Sequence, residues 1–243
     1  MTDVVRVAMW SGPRNISTAL MRAFENRPDT VVADEPLYAA YLARTGIDHP
    51  AREAVMASQP TELATAVAAL FGPLPAGRRV HYAKHMAHHV EPDMDLRWTL
   101  RLRNVLLIRD PAEVVASYVR SRATCEPRDI GLPQQCWLAE LWDQHGVEVP
   151  VIDAEDFLRA PEAHLRCLCD WLAVPFSSRM LSWPPGPRAS DGVWAPYWYG
   201  AVWASTGFEA RPTRERALAG HYAAVAEACR PLYDALHARR LQL

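Results

Sequence analysis

The segment from residue 4 to residue 24 limits the possible folds more than any other. Residues 4–10 (Val-Val-Arg-Val-Ala-Met-Trp) form an apolar run that reads as a buried strand. Gly12-Pro13 break it, and Ser17-Thr18 open an amphipathic helix continued by Leu20, Met21 and Phe24. A strand, a tight loop and a helix start in that order gather free backbone N–H groups and the positive helix end at one point. Arg14 adds a cation to the loop, and the two hydroxyls can donate to anionic oxygens. The segment therefore predicts a cradle for a phosphate-like group. Simple N-capping by Ser17 or Thr18, with Arg14 in a surface ion pair, is the other arrangement these residues allow.

The alternation persists along the chain. Strand patterns fall at 4–10, 30–33, 79–83, 105–108 and 149–152, and helical patterns at 17–26, 50–71, 111–122, 134–145 and 161–173. A last helical stretch runs over about 213–240. Such alternation predicts an α/β protein, a P-loop-like three-layer α/β/α fold with a mostly parallel central sheet, whose ligands bind at the carboxyl ends of the strands. No internal repeat or long linker divides the 243 residues, so a single domain, 1–243, is expected.

A net charge of −2 carries no global signature of nucleic-acid or anionic-membrane binding. No apolar run approaches the ~20 residues that span a bilayer, and the start of the chain has no signal-peptide pattern. The five cysteines, at 125, 136, 167, 169 and 229, lack zinc-knuckle spacing and read as reduced thiols of a cytoplasmic protein. Oligomeric state is not written in the sequence, and a homodimer is one option.

Four further segments offer chemistry. At 105–120 a strand ends in Arg109-Asp110-Pro111, where Asp110 caps a helix with Glu113 at its third position and Ser117 two turns along. At 81–89, Lys84 stands near a strand end beside His81, His85, His88 and His89. No Asp or Cys complements these histidines at ligand spacing, so no metal is expected. After the second strand, Asp34-Glu35-Pro36 place carboxylates at the same sheet edge. The aromatic run from Trp194 to Trp203 suits either a ligand pocket or a lid packed on the core.

Together these motifs resemble the sulfotransferases that use 3′-phosphoadenosine 5′-phosphosulfate (PAPS). Pro13-Arg14-Asn15-Ile16-Ser17-Thr18 matches that family's Pro-Lys-Ser-Gly-Thr-Thr loop, which holds the 5′-phosphosulfate. Arg109-Asp110-Pro111 with Ser117 keeps the spacing of its 3′-phosphate motif. The nearer likeness is to a bacterial subgroup with Ser-Gly-Pro-Arg-Asn-x-Ser-Thr, sometimes labelled branched-chain aminotransferase-like, although no pyridoxal-phosphate motif is found. The resemblance implies transfer of a sulfuryl group to a hydroxyl or amine of a small-molecule acceptor, leaving adenosine 3′,5′-bisphosphate, without metal, nucleic acid or membrane. It implies Arg14, Asn15, Ser17, Thr18, Arg109 and Ser117 as donor contacts and Lys84 as a residue reaching the leaving oxygen. The base is Glu35 or one of His85, His88 and His89, with Glu35 preferred. Two departures stand out: Arg14 replaces the family lysine, and the Arg-Lys-Gly-x-x-Gly segment is absent, which makes Arg188 a candidate for the missing cation. The rival functions are a P-loop kinase or hydrolase, which the missing Lys-Ser/Thr disfavours, and a non-catalytic nucleotide-binding module.

Overall fold

The computed structural model describes residues 4–122, 124–209 and 218–243. Its centre is a five-stranded sheet of β1 (Val5–Ser11), β2 (Thr30–Asp34), β3 (Val80–Met86), β4 (Arg103–Ile108) and β5 (Val151–Asp153), in the order β2-β3-β1-β4-β5. All four pairings are parallel. Every strand therefore ends at the same edge, and the loops leaving that edge carry the motifs. The first strand is central because β1 is fully apolar through Val7–Trp10, as a strand buried on both faces must be.

Alternation along β1 sorts the core into two layers. Val7 and Met9 face α1 (Ser17–Glu25), α7 (Ala154–Arg159) and α8 (Pro161–Trp171) through Leu20, Phe24, Phe157 and Leu165. Ala8 and Trp10 face α4 (Leu63–Leu70), α5 (Pro111–Tyr118), α6 (Leu132–Gln144) and α11 (Gly220–His237) through Ala66, Val115, Trp142 and Cys229. This is the expected α/β/α arrangement. A third, smaller cluster joins α2 (Tyr38–Thr45), α3 (Arg52–Ser58), α9 (Ala195–Trp198) and the following Tyr199, through Tyr38, Leu42, Val55, Trp194 and Tyr199. The short α10 (Gly200–Trp203) continues that roof.

Several boundaries differ from the sequence pattern for local reasons. The expected helix over 50–71 is two helices, because Pro60 forces Gln59 into extended backbone (φ −140, ψ 160). β3 runs on through Met86, which sets the directions of Lys84 and His85. Helix α2 was not legible because it is short and begins only two residues after Pro36. The final helix begins at Gly220, and its expected start over 213–217 lies outside the described residues. Among the described residues, no helix is long and apolar enough to cross a membrane.

Candidate active site

The cradle forms where β1 and β4 part. Their pairing ends at Ser11 against Leu107. The gap beyond is bridged by the Gln135 amide, which donates to the carbonyls of Trp10 and Leu107 at 3.0 Å each, and by Asn15, which donates to Leu107 O at 3.2 Å. Gly12 is required here because a Cβ would lie 2.1 Å from the carbonyl oxygen of Ile130. Arg14 adopts φ 55, in the left-handed region that L residues avoid. Helix α1 then starts with Ile16 at the N-cap, and no side chain caps its N–H groups. Capping by Ser17 or Thr18 is thus not the arrangement found; those donors face the crevice.

The second motif closes on the first. Asp110 caps α5, accepting from Ala112 N at 2.8 Å and Glu113 N at 3.3 Å. Arg109 pairs with Glu113 and donates to the Arg14 carbonyl at 2.7 Å, while Arg14 Nε donates to Ser117 Oγ at 3.1 Å. Arg14, Asn15, Ser17, Thr18, Arg109 and Ser117 thereby line one crevice of about 310 Å³, within the range of small-molecule sites.

The opposite wall is a buried charge network. Lys84, 1 % exposed, donates to Asp34 Oδ1 at 2.8 Å and Glu35 Oε1 at 2.7 Å, and also bonds the Tyr199 hydroxyl. Asp34 in turn accepts from Tyr199 and from Gly192 N at 3.0 Å. Burial would drive the ammonium towards neutrality, but Asp34 and Glu35 hold it charged, well above its ordinary range. Burial raises the carboxyl of Glu35, with Asp34 adding to the effect and Lys84 opposing it. Glu35 sits at φ 43, a second non-glycine residue in the left-handed region at a strand end. Its other oxygen lies 3.9 Å from His89 Nε2. The ring of His89 is stacked between Tyr38 and Tyr41, and burial depresses its basicity well below the usual value.

The structure thus brings Glu35, Lys84, His88 and His89 to the crevice wall, but not two other expected residues. His85 points to the opposite face of β3, stacked on Trp10 with ring centroids 4.2 Å apart, and burial lowers it to about 3. It is one position out of register for the crevice because β3 continues through it. Arg188 does not supply a donor-site cation. It is paired with Glu25 at 2.7 Å and bonded to Asn26, at the end of α1 remote from the cradle. Lys84 is occupied by its two carboxylates, so it holds Glu35 in place rather than standing free for a leaving oxygen.

Sequence reasoning overlooked Gln135, Tyr199 and Arg122. Gln135 sits in an amphipathic helix without a motif. Tyr199 belongs to the aromatic run, and only the fold shows that its hydroxyl reaches Asp34. Arg122 follows α5 in a loop, and its presence in the crevice could have been suspected from the basic pair Arg120 and Arg122 after Ser117.

Comparison with known proteins bears on the fold and the family. Over 94 % of its length the chain resembles the sulfotransferase domain from the curacin biosynthetic pathway (98 % of that chain, 17 % identity, TM-score 0.55). It covers 98 % of itself and 97 % of a sulfotransferase from Alicyclobacillus acidocaldarius (15 % identity, TM-score 0.56). At these identities the likeness shows a shared fold. In sequence it is 35 % identical over 237 residues to branched-chain-amino-acid aminotransferase-like protein 1 of Arabidopsis thaliana, matching 97 % of the chain but 42 % of that relative. Protein 2 of the same plant is 33 % identical over 93 % of the chain and 40 % of its own length, so the chain spans about two fifths of these relatives. The family model of the sulfotransferase domain matches residues 5–240. With a match that covers nearly every element described above, the chain belongs to the sulfotransferase domain family.

Proposed function

We propose that this chain moves a sulfuryl group from PAPS to a hydroxyl or amine of a small molecule. One observation carries the proposal: a helix N-terminus without a side-chain cap opens into the same crevice as Arg14, Arg109 and Ser117, and Glu35 stands on the facing wall. The donor supplies a sulfuryl group attached to a phosphate leaving group. The α1 N–H groups, Ser17, Thr18 and Arg14 would bind its 5′ end and stabilise the charge that develops there. Arg109 and Ser117 would hold the 3′-phosphate, Arg109 exchanging its pair with Glu113 for the ligand. Asn15 keeps the loop fixed to β4.

In the transfer, the acceptor atom bonds to sulfur as the bridging S–O bond breaks, its electron pair leaving on the bisphosphate. The acceptor proton passes to Glu35. A carboxylate raised by burial suits that task, since a base is most effective with a pKa nearer the working pH. Lys84 and Tyr199 fix its orientation, and they act on Glu35 rather than on substrate. His88 and His89 are kept neutral by burial, so they add no charge beside Glu35.

Adenosine 3′,5′-bisphosphate should raise the melting temperature, and Arg109→Ala should abolish most of that rise. Glu35→Gln should keep the rise yet lose roughly 10²–10⁴ in sulfuryl transfer from PAPS to a metabolite extract. Stabilisation by ATP with magnesium and none by the bisphosphate would overturn the assignment in favour of a kinase or hydrolase.

A further inference from the structure

On the Glu35 side of the crevice one cation has no carboxylate partner among the described residues. Arg122 lines the crevice, half-buried, and its Nη2 is buried without a hydrogen bond. No carboxylate among the described residues lies within ion-pair distance of it, whereas Arg14 and Arg109 bond to Ser117 and Glu113. Its guanidinium lies over the Trp198 ring, 5.2 Å from the centroid. A stacked guanidinium keeps its N–H edge for a ligand, and an unmet buried donor is costly.

Its surroundings tie it to the base rather than to the cradle. The Trp198 ring is 5.7 Å from His49, and His49 bonds the Tyr38 hydroxyl. Tyr38 stacks on His89 at 4.7 Å, and His89 adjoins Glu35. This continuous aromatic wall runs from Arg122 to the carboxylate that takes the acceptor proton. His49 and His88 on that wall are held neutral, at about 4 and about 3, by burial with Arg122 among the contributing charges. Among the described residues, Arg122 is therefore the charged donor on this wall that remains to be matched.

We propose that Arg122 is the anchor for a carboxylate on the acceptor, so that the substrate class is a hydroxy or amino acid whose nucleophile reaches Glu35 while its carboxylate sits on the guanidinium edge. A single guanidinium beside neutral imidazoles neutralises one negative charge, and its planar fork matches a carboxylate in two parallel bonds. A phosphate dianion would leave charge unmatched in a half-buried site. Trp198 and Tyr38 supply flat apolar faces for the body of the acceptor. The inference rests on the sulfotransferase assignment above.

The experiment compares hydroxy acids with their methyl esters, for example 4-hydroxyphenylacetate and its ester, as acceptors of label from PAPS. The acids should exceed their esters in kcat/KM by about ten- to a hundredfold, the worth of a charge-assisted pair. Arg122→Met, which keeps a side chain on Trp198 but no charge, should erase that preference mainly through the acceptor KM and leave bisphosphate affinity unchanged. Esters used as well as acids, an equal loss for both in Arg122→Met, or no transfer to any hydroxy acid by protein that binds the bisphosphate would each overturn the proposal. Weakened bisphosphate binding by Arg122→Met with the acid preference intact would also overturn it, assigning Arg122 to the donor. Failure of the wild type to bind the bisphosphate would instead remove the sulfotransferase assignment itself.

Discussion

Lys84 is one ammonium held by Asp34, Glu35 and Tyr199 in a space almost closed to water. Its removal would leave two carboxylates facing each other without a counter-ion, a worse state than a neutral core of the same shape. Lys84→Met should therefore cost about 3–5 kcal/mol in urea denaturation. The loss should be smaller in Lys84→Met combined with Asp34→Asn, because one of the opposed charges goes with it. The pairing of Lys84 with residues fifty positions earlier could not be seen in a local pattern, and Tyr199 is 165 positions from Asp34. What was legible at this scale was Glu35 itself, because a carboxylate next to proline at a strand end has few other places to go. His85 was misjudged by one residue of strand length, and in a β-strand one residue reverses the face.

At the scale of the element, the first strand, loop and helix were readable because each signal in them is local: an apolar run, Gly12-Pro13, then hydroxyls. The same holds for β4 and α5, where Asp110 and Pro111 make a helix start that needs no tertiary context. Arg188 failed because its role depends on Glu25, an element end 163 positions away. The necessity of Gly12 also becomes visible only in three dimensions, in the closeness of the Ile130 carbonyl to where a Cβ would stand. Gly12→Ala should push that loop off the segment before α6, costing about 1–3 kcal/mol of stability. In isothermal titration, its bisphosphate binding should fall by more than the stability loss explains, since Arg14 and Asn15 move with the loop.

Across the whole molecule, His49, His81, His85, His88 and His89 are kept neutral chiefly by burial, the first four at about 4, 4, 3 and 3 and His89 well below its ordinary value. In the unfolded chain each takes up its proton near pH 6.5. The unfolded state thus binds more protons below that pH, and stability must fall as the pH drops from about 6.5 towards 4. Melting temperatures measured across that window should decline steadily. His85→Phe, which keeps the stack on Trp10 without a titrating nitrogen, should flatten the decline by one proton's share. The layered α/β fold was readable from the strand–helix rhythm alone. The strand order was not, because β1 pairs with partners some 75 and 95 residues later in the chain.

That order has a consequence for how the protein is made. Of the five strands of the sheet, the one that comes first along the chain is the middle one, and it acquires its two neighbours in turn: β3 once residue 86 has emerged, and β4 only after residue 108. During the interval a nascent chain carries a two-faced apolar strand with one unpaired edge, the form of backbone most open to another strand. The geometry that sets the cradle between β1 and β4 also means that the cradle cannot form with β3 alone and waits for β4 to join.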